Sequence, residues 1–316
     1  MAKVPHYTST TLVDAVRRRG SLPRAASMIS DDEILEFAND EIQEHILPTI
    51  KSTYEEFFVW VTTKAIEQGK ELYRIPERAV GNALRDLAYI DANGNDFEMT
   101  RIQRDDRYNT QFPSTYNQPY RYLVQNAHIK LEPAPTTSAS GTLEFAFLLR
   151  PNMLVKTDQV AKVVSINTTT GEVVVNKIPT TMSSATKLDF LKTKSPHNFL
   201  DIDKNASSVN YVTNTFTFAV ADLPADLEVG DTIALAYETD IPGIPTEMHR
   251  YLLTRTIERV LESLGDATAT ALAARNTTVS EVNATKLIEN RVTSAPLKIK
   301  SNNGLLRKKY KSGRKF

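Results

Sequence analysis

The stretch VQNAHIKLEPAPTTSASGTLEFAFLLRP, from Val124 to Pro151, contains two runs in which apolar and polar side chains alternate. Such alternation indicates a strand that buries one of its faces. Turn-forming residues separate the two runs, so the stretch predicts a β-hairpin from Ala127 to Leu149. Pro151 lacks a backbone donor and is expected to mark the exit from the sheet. The apolar positions of the two runs are Ala127, Ile129, Leu131, Leu143, Phe145, Phe147 and Leu149.

A helix is predicted before these strands. Ser30-Asp31-Asp32-Glu33 has the form of a capping box, in which the Ser30 hydroxyl accepts from the Glu33 amide and the Glu33 carboxylate returns a bond. The apolar stripe that follows predicts a helix that packs against other helices. Pro48 is expected to kink or fray its last turn. The stripe consists of Ile34, Ala38, Ile42, Ile46 and Ile50, with Leu35 and Leu47 beside it.

The helical period returns near the end of the chain. Thr246 is expected to cap a helix that Gly265 ends, and Asp266 to cap an Ala-rich helix. Thr278-Val279-Ser280-Glu281 resembles a second capping box, which predicts a further helix to about Val292. The apolar stripe of the first of these helices contains Met248, Leu252, Leu253, Ile257, Val260, Leu261 and Leu264.

Between the helical parts the chain has the signals of β structure. The Asn93-Gly94 pair indicates a hairpin turn, whereas the same stretch lacks the Gly and the final Glu that a calcium loop needs. Residues 105–122 predict a polar loop, which either contacts a partner or covers the sheet. Strands are expected over residues 57–63, 72–75, 84–90, 215–219 and 232–237, with a further hairpin around Thr170-Gly171.

These patterns predict an α+β chain, with a helical core from the N- and C-terminal helices and an inserted antiparallel β portion that forms a small barrel or sandwich. The two helical parts must cover their apolar stripes, and each is the obvious cover for the other. The expected units are an N-terminal arm (1–29) with a short helix at Thr10–Arg19, an N-terminal helix (30–52), a β-hairpin region (53–154), an inserted β domain (155–240), a C-terminal helical bundle (241–295) and a basic C-terminal tail (296–316).

The composition is that of a globular protein, with 41% apolar and 24% charged residues among 316. The absence of cysteine excludes disulfides, thiol catalysis and thiolate metal sites. No signal peptide is recognisable, and no apolar run approaches the roughly 20 residues that cross a membrane. We therefore expect the protein in the cytosol, or in something assembled there, without membrane contact.

The neutral net charge hides an asymmetry. Residues 298–316 contain eight basic residues and no acidic one, so residues 1–297 carry eight more acidic than basic residues. A basic tail on an acidic body indicates binding either to nucleic acid or to an acidic surface of another copy or a partner. A solvated end without such a role is the simpler alternative.

The sequence contains no evident catalytic arrangement. The five histidines lack the spacing of a metal-binding pair, and there is neither a Gly-x-Ser-x-Gly motif nor a Gly-rich phosphate loop. Asp31 and Asp32 belong to the capping box, and Asp105 and Asp106 precede Arg107, which is expected to pair with them. We therefore predict a protein that is not an enzyme and uses no cofactor or metal.

The order of the segments resembles the head-to-tail adaptor, or connector, proteins of tailed bacteriophages. The run YRIPERAVGNALRDLAYIDANGNDFEMTRIQRDDR (Tyr73–Arg107) is similar to an element of that family in which "IP-R-A-G-LRD" precedes a strand, a "D-NG" hairpin and an "RI" pair. The other similar segments are SDDEILEFANDEIQEHILPTI, AHIKLEPAPTTSASGTLEFAFLLRP, TEMHRYLLTRTIERVLESLGD and NRVTSAPLKIKSNNGLLR. They resemble the first helix, the hairpin, the C-terminal helices and the tail of the family.

The resemblance implies a virion protein that is assembled in the bacterial cytoplasm. The chain would form a homo-oligomeric ring, typically twelve-fold, which docks under the portal protein. The ring would extend the channel through which packaged DNA passes, and would provide the platform for the tail or nozzle protein. The hairpin would then be scaffold.

The candidate interface residues are basic and apolar. In the tail, the cations are expected to act collectively because a single exposed cation contributes only about 0–1 kcal/mol. Leu305 and Leu306 would add an apolar anchor. A second candidate interface consists of Arg17, Arg18 and Arg19, which are expected to be exposed. The expected portal-docking residues are Lys298, Lys300, Leu305, Leu306, Arg307, Lys308, Lys309 and Lys311.

Two other functions are open at this point. One is a nucleic-acid-binding protein that acts through the basic tail, although Trp60 is the sole tryptophan and no alternating Arg and aromatic platform is present. The other is a receptor-binding tail module, with residues 155–240 as its binding surface.

Overall fold

The computed structural model describes residues 7–22, 29–105, 119–135, 141–194 and 199–289. Helices lie at both ends of this part of the chain, and strands occupy the middle. The fold is therefore α+β, as predicted from the sequence. Its strand pairs are antiparallel with two exceptions, since Thr100–Arg101 and Met153–Leu154 each pair with a parallel neighbour.

The helices form one core. Residues from every helix contribute to a single apolar cluster, in which Leu12, Ile34, Ile50, Leu252 and Val260 have no exposed surface. The N-terminal and C-terminal helices thus cover each other's apolar stripes, as expected. The helices are α1 (Ser9–Arg19), α2 (Asp31–Glu41), α3 (Leu47–Thr53), α4 (His249–Ser263) and α5 (Ala267–Ile288).

The segment treated above as an arm contributes to this core. Leu12 and Val16 of α1 are fully buried, and Thr8 and Thr11 form a capping box at the start of the helix. The backbone amide of Ser9 donates to the carbonyl of Asp240 at 2.7 Å. The helix expected at residues 10–19 is therefore present, and it belongs to the helical core.

The capping box of α2 is confirmed. The Ser30 hydroxyl accepts from the Glu33 amide at 3.2 Å, and the Ser30 amide donates to Glu33 Oε2 at 2.6 Å. The bond from the Ser30 amide, followed by a bond from the Ser30 hydroxyl to the same oxygen at 2.8 Å, holds the pKa of Glu33 below its ordinary value. A π-helical turn, Ile42–Ile46, joins α2 to α3, and Pro48 lies in the first turn of α3. The predicted disturbance thus lies just before Pro48, which has no amide to donate to the preceding turn.

Two predictions about the C-terminal helices were wrong. Helix α5 continues through residues 278–281 without a break, because the Thr278 hydroxyl donates back to the Ala274 carbonyl at 3.1 Å instead of capping a new helix. Thr246 begins a short 3-10 turn and makes no side-chain cap. Two other predictions are confirmed: Asp266 accepts from the Ala269 amide, and Gly265 has a positive φ of 75° at the end of α4.

Two four-stranded sheets face each other across a second core, and together they are called the sandwich below. The first has the order β1-β8-β3-β4 and the second the order β2-β7-β6-β5. Tyr73 and Leu131 of the second sheet and Leu87 and Phe145 of the first belong to one buried cluster. The strands are β1 (Val59–Ala65), β2 (Leu72–Arg74), β3 (Ala79–Asp91), β4 (Asp96–Glu98), β5 (Thr100–Arg101), β6 (Arg121–Gln125), β7 (His128–Glu132) and β8 (Gly141–Leu149).

The predicted hairpin between Ala127 and Leu149 was therefore wrong in its pairing. Its two strands exist, but β7 pairs with β2 and β6, whereas β8 pairs with β1 and β3. The apolar faces of both strands point into the same core from opposite sheets. Alternation specifies which face a strand buries but not the strand that it pairs with. The strand β8 ends at Leu149, just before Arg150-Pro151, as expected.

The insertion forms a third sheet with its own core. The sheet has seven strands in the order β13-β12-β16-β10-β11-β15-β14 and does not close into a barrel. The hairpin predicted around Thr170-Gly171 is confirmed as the turn between β10 and β11. The parallel pair of β9 and β17 places the entry to the insertion beside its exit. The strands are β9 (Met153–Leu154), β10 (Ala161–Asn167), β11 (Glu172–Val175), β12 (Lys187–Leu191), β13 (Phe199–Asn205), β14 (Ser208–Asn210), β15 (Thr215–Thr217), β16 (Thr232–Leu235) and β17 (Glu238–Thr239).

The Asn93-Gly94 turn is also confirmed. Antiparallel β3 and β4 flank it, and Gly94 has a positive φ of 81°. Asp91 accepts from the amides of Asn93 and Asn95 at 2.8 and 2.9 Å. The side chain of Asn95 also donates to Asp91 Oδ2, at 2.9 Å. This bond is the largest cause of the lowered pKa of Asp91, and the two amide bonds add to it.

Candidate interface

The outer side of α5 carries exposed aliphatic side chains that alternate with exposed polar ones, namely Arg275, Asn276, Asn283 and Lys286. The helix has 22 residues and is about 33 Å long. Four large aliphatic side chains on it are 46–67% exposed. A surface helix normally places polar residues on the side that faces water. We define these four residues as the α5 face: Leu272, Val279, Val282 and Leu287.

The opposite side of α5 explains why this face points outward. Small and polar residues dominate the buried side, which allows close packing against the rest of the helical core. The Thr277 hydroxyl donates to the Ala273 carbonyl at 3.0 Å and so needs no partner from a neighbouring helix. The core is complete without the α5 face. Its buried residues are Ala273, Thr277, Ser280, Ala284 and Ile288.

The predicted arginine interface is only partly exposed. Arg17 is 7% exposed, and its guanidinium donates to Asp31 Oδ1 at 2.6 Å and to the Ile29 carbonyl at 2.8 Å. Its expected exposure was wrong, because this side chain joins the end of α1 to the start of α2. Arg18 and Arg19 are exposed at the last turn of α1, where positive charge is favoured.

The predicted portal-docking residues lie outside the described residues. This applies to all eight, from Lys298 to Lys311. The last described helix, α5, ends at Ile288, ten residues before Lys298.

A buried polar network connects the insertion to the sandwich. The guanidinium of Arg78 pairs with Asp189 and donates to Asn152 Oδ1 at 3.1 Å, while Asp203 Oδ2 lies 3.7 Å from its Nε. The ring of Tyr237 stacks on this guanidinium, 4.2 Å from the ring centre to Cζ. The side chains of Arg78 and Asp189 are 2% and 0% exposed. The network fixes where the insertion lies relative to β3.

Sequence reasoning missed this network. Arg78 lies in the segment that resembles the adaptor family, but a single arginine before a strand gives no sign of burial. Its partner Asp189 is 111 residues away and lies in an apolar strand. The sequence contains one sign that Asp189 is buried: within a short strand it lies between the apolar residues Leu188 and Phe190.

A second polar cluster lies where the π-helical turn meets α4. Glu41 is 2% exposed and accepts from Arg255 Nε at 2.7 Å, and its Oε2 is 3.0 Å from His45 Nδ1. Arg255 Nη2 lies 2.8 Å from His45 Nε2. Since the guanidinium can only donate, Nε2 of His45 accepts in this contact, while Nδ1 faces Glu41 without hydrogen-bond geometry. This cluster ties α2 to α4.

Asp240 is a buried carboxyl group at the junction between β17 and the helical core. It is 4% exposed, and burial raises its pKa from 3.8 to about 6. Its backbone carbonyl holds the first amide of α1. The position thus couples a group that titrates near neutral pH to the contact between α1 and the rest of the core.

The described residues contain no group of three His, Asp or Glu side chains that could hold a metal ion. Within the same ranges, none of the helices combines the length and the apolar character needed to span a membrane. Comparison of the chain with models of known protein families and with curated proteins gives no match.

Proposed function

We propose that this protein is a head-to-tail adaptor of a tailed bacteriophage. It forms a ring, typically of twelve copies, between the portal protein and the tail or nozzle protein, and DNA passes through the channel of the ring. The proposal rests on the five sequence segments that resemble the adaptor family and occur in its order.

The structural observation that carries the proposal is the α5 face. Four exposed aliphatic residues on the outer side of a long helix, with polar residues between them, supply apolar contact area for a protein partner. In a ring of more than two copies, one surface of each copy meets a different surface of its neighbour, and this contact is repeated around the whole assembly. The α5 face is the proposed contact between copies.

The basic segment gives the second contact. It follows α5 in the chain and carries eight basic residues in 298–316. Since residues 1–297 have an acidic excess, the segment has a charge opposite to that of its own body. It is suited to an acidic surface of the portal protein, and Leu305 and Leu306 supply the apolar anchor.

The decisive experiment determines the copy number and position of the protein in purified virions. Quantitative mass spectrometry against the portal protein and cryo-electron microscopy are expected to give one copy per portal subunit, in a ring between portal and tail. A threefold position at the tail tip, or absence from particles, contradicts the proposal.

A truncation tests the basic segment separately. A chain without residues 298–316 is expected to fold normally and to lose portal binding. Equal portal binding by the truncated and the full chain assigns the contact to another surface. A steep salt dependence of DNA binding that disappears with the truncation supports the nucleic-acid alternative instead.

A further inference from the structure

A cavity of about 310 Å³ lies where the helical core, the sandwich and the insertion meet. Its walls come from four separate parts of the chain: the segment from Tyr54 to Trp60, the end of β8, the end of β12 with the start of β13, and the link from β17 towards α4. This volume is at the lower end of the range typical of small-ligand sites, about 300–1,000 Å³.

The walls of the cavity are mainly aromatic. Trp60 and Phe199 meet edge to face with their ring centres 6.4 Å apart, and Tyr54 and Phe57 lie 6.1 Å apart. All four rings remain partly exposed. Leu149, Leu191 and Ile241 close the floor and are 3–6% exposed. Partly exposed rings around an apolar floor suit a planar ligand ring.

The polar groups around the cavity favour a negative charge on the ligand. Lys192 lines the cavity and is half-buried, and among the described residues no carboxylate is paired with it. Lys194 instead holds Glu228, whose pKa is lowered first by Lys194 and only secondarily by Lys192. The carboxylate of Glu56 lies 3.6 Å from Arg85, so its charge is partly offset.

The hydroxyl of Thr239, which also lines the cavity, is not available to donate to an anion. Its hydroxyl donates to the Ile241 carbonyl at 2.8 Å and accepts from the Ile241 amide at 3.1 Å. Its hydrogen bonds are therefore used within the link to α4. Lys192 is the cationic side chain among the described residues that line the cavity, so it is the group suited to orient an anion.

We propose that the cavity binds a small molecule that consists of a planar aromatic ring system with one anionic substituent. The ring packs against Trp60, Phe57 and Phe199, and the anion bonds to Nζ of Lys192. This site is independent of the proposed adaptor function, since neither the α5 face nor the basic segment contributes to it.

Two fluorescent probes test the inference directly. 8-Anilinonaphthalene-1-sulfonate has the proposed chemistry, and N-phenyl-1-naphthylamine has the same rings without the anion. Trp60 is the sole tryptophan, so excitation of tryptophan followed by energy transfer to the probe has a single donor beside the cavity. In the full-length protein, we expect the energy transfer from Trp60 to the sulfonate probe to contain a component that saturates as the probe concentration rises.

Two variants identify the site of this component. K192Q is expected to weaken binding of the sulfonate about tenfold and to leave the uncharged probe unchanged, because a charge-assisted bond is lost. K187Q, which changes an exposed lysine at the other end of β12, serves as the matched control and is expected to have no effect. Gly243→Val fills the cavity beside Phe199, where an added Cβ makes ordinary contacts at 3.7 Å, and is expected to abolish binding of both probes.

The inference is overturned if K192Q binds the sulfonate as tightly as the unchanged protein does. It is also overturned if Gly243→Val retains the saturable component, since the probe then binds elsewhere, for example at the α5 face. Near-ultraviolet circular dichroism of each variant establishes that its fold is retained.

Discussion

Arg78 and Asp189 lie 111 residues apart in the chain and form an ion pair that is almost completely withdrawn from water. Asp189 also accepts from Asn152 Nδ2 at 2.7 Å and from the amide of Asp203 at 3.0 Å. The pair thus connects the sandwich, the link into the insertion and two strands of the insertion. Each charge is buried together with its partners, which is the arrangement that makes such a pair tolerable.

We expect R78M to lower the free energy of unfolding by about 3–5 kcal/mol, because it leaves the carboxylate of Asp189 buried without its counter-charge. The measurement is urea denaturation at neutral pH. The double variant R78M/D189L is expected to recover part of the loss. R85M, which removes an exposed pair with Glu56, is the control and should cost less than about 1 kcal/mol. A cost for R78M as small as that for R85M contradicts the role of the network.

The sequence was sufficient for the fold class and for most local elements. The capping box at Ser30, the Asn93-Gly94 turn and the Gly265 helix end were all predictable, because each depends on neighbouring residues alone. Pairing over long distances was not predictable. The alternation in β7 and β8 is equally compatible with a hairpin and with two sheets that face each other.

The same distinction applies to the candidate site. Arg17 could not be recognised as buried, because its burial depends on Asp31 and on a carbonyl of the following segment. The α5 face was hidden by the false capping box at Thr278, which divided one helix into two shorter patterns. The basic segment was evident from composition alone, and its contacts lie outside the described residues.

The core between the two sheets gives a test of the sandwich. Phe145 of β8 is 1% exposed and belongs to the cluster that both sheets share. Phe145→Ala should therefore lower the free energy of unfolding by about 3–5 kcal/mol. Val61→Ala is the control, since Val61 is 48% exposed on β1 and should contribute within about 0.5 kcal/mol. Equal losses for the two variants in urea denaturation are incompatible with a shared core.

Asp240 predicts a dependence of stability on pH. Its pKa in the folded chain is about 6, above the ordinary 3.8, so the folded chain binds this proton more tightly than the unfolded chain does. The associated stabilisation is complete below about pH 4 and is lost as the pH rises through about 6. At pH 8 the ionised carboxylate therefore costs up to about 3 kcal/mol.

D240N removes this titration. The variant should be more stable than the unchanged protein at pH 8, and the difference should disappear towards pH 4. Thermal unfolding at both pH values measures the effect. D226N, at an exposed position in the same insertion, is the control and should leave the pH profile as it is. A D240N effect that does not change between the two pH values would falsify the assignment to ionisation.

The α5 face predicts how assembly depends on single residues. Val279 is 58% exposed, so Val279→Lys should leave the free energy of unfolding within about 0.5 kcal/mol. If copies of the chain contact each other through this face, a buried lysine at the contact carries an uncompensated desolvation cost. Ring formation on the portal protein, followed by negative-stain electron microscopy and sedimentation velocity, should be lost or strongly reduced.

Thr278→Lys is the matched control. Thr278 is exposed on the same helix, next to Val279 in sequence, and does not belong to the α5 face. The two variants have the same added charge, so a difference between them reports the position of the lysine and not the net charge. Rings with Thr278→Lys but not with Val279→Lys support the contact. Full assembly by Val279→Lys shows that neighbouring copies meet through another surface, and the aliphatic residues of α5 then require a different partner.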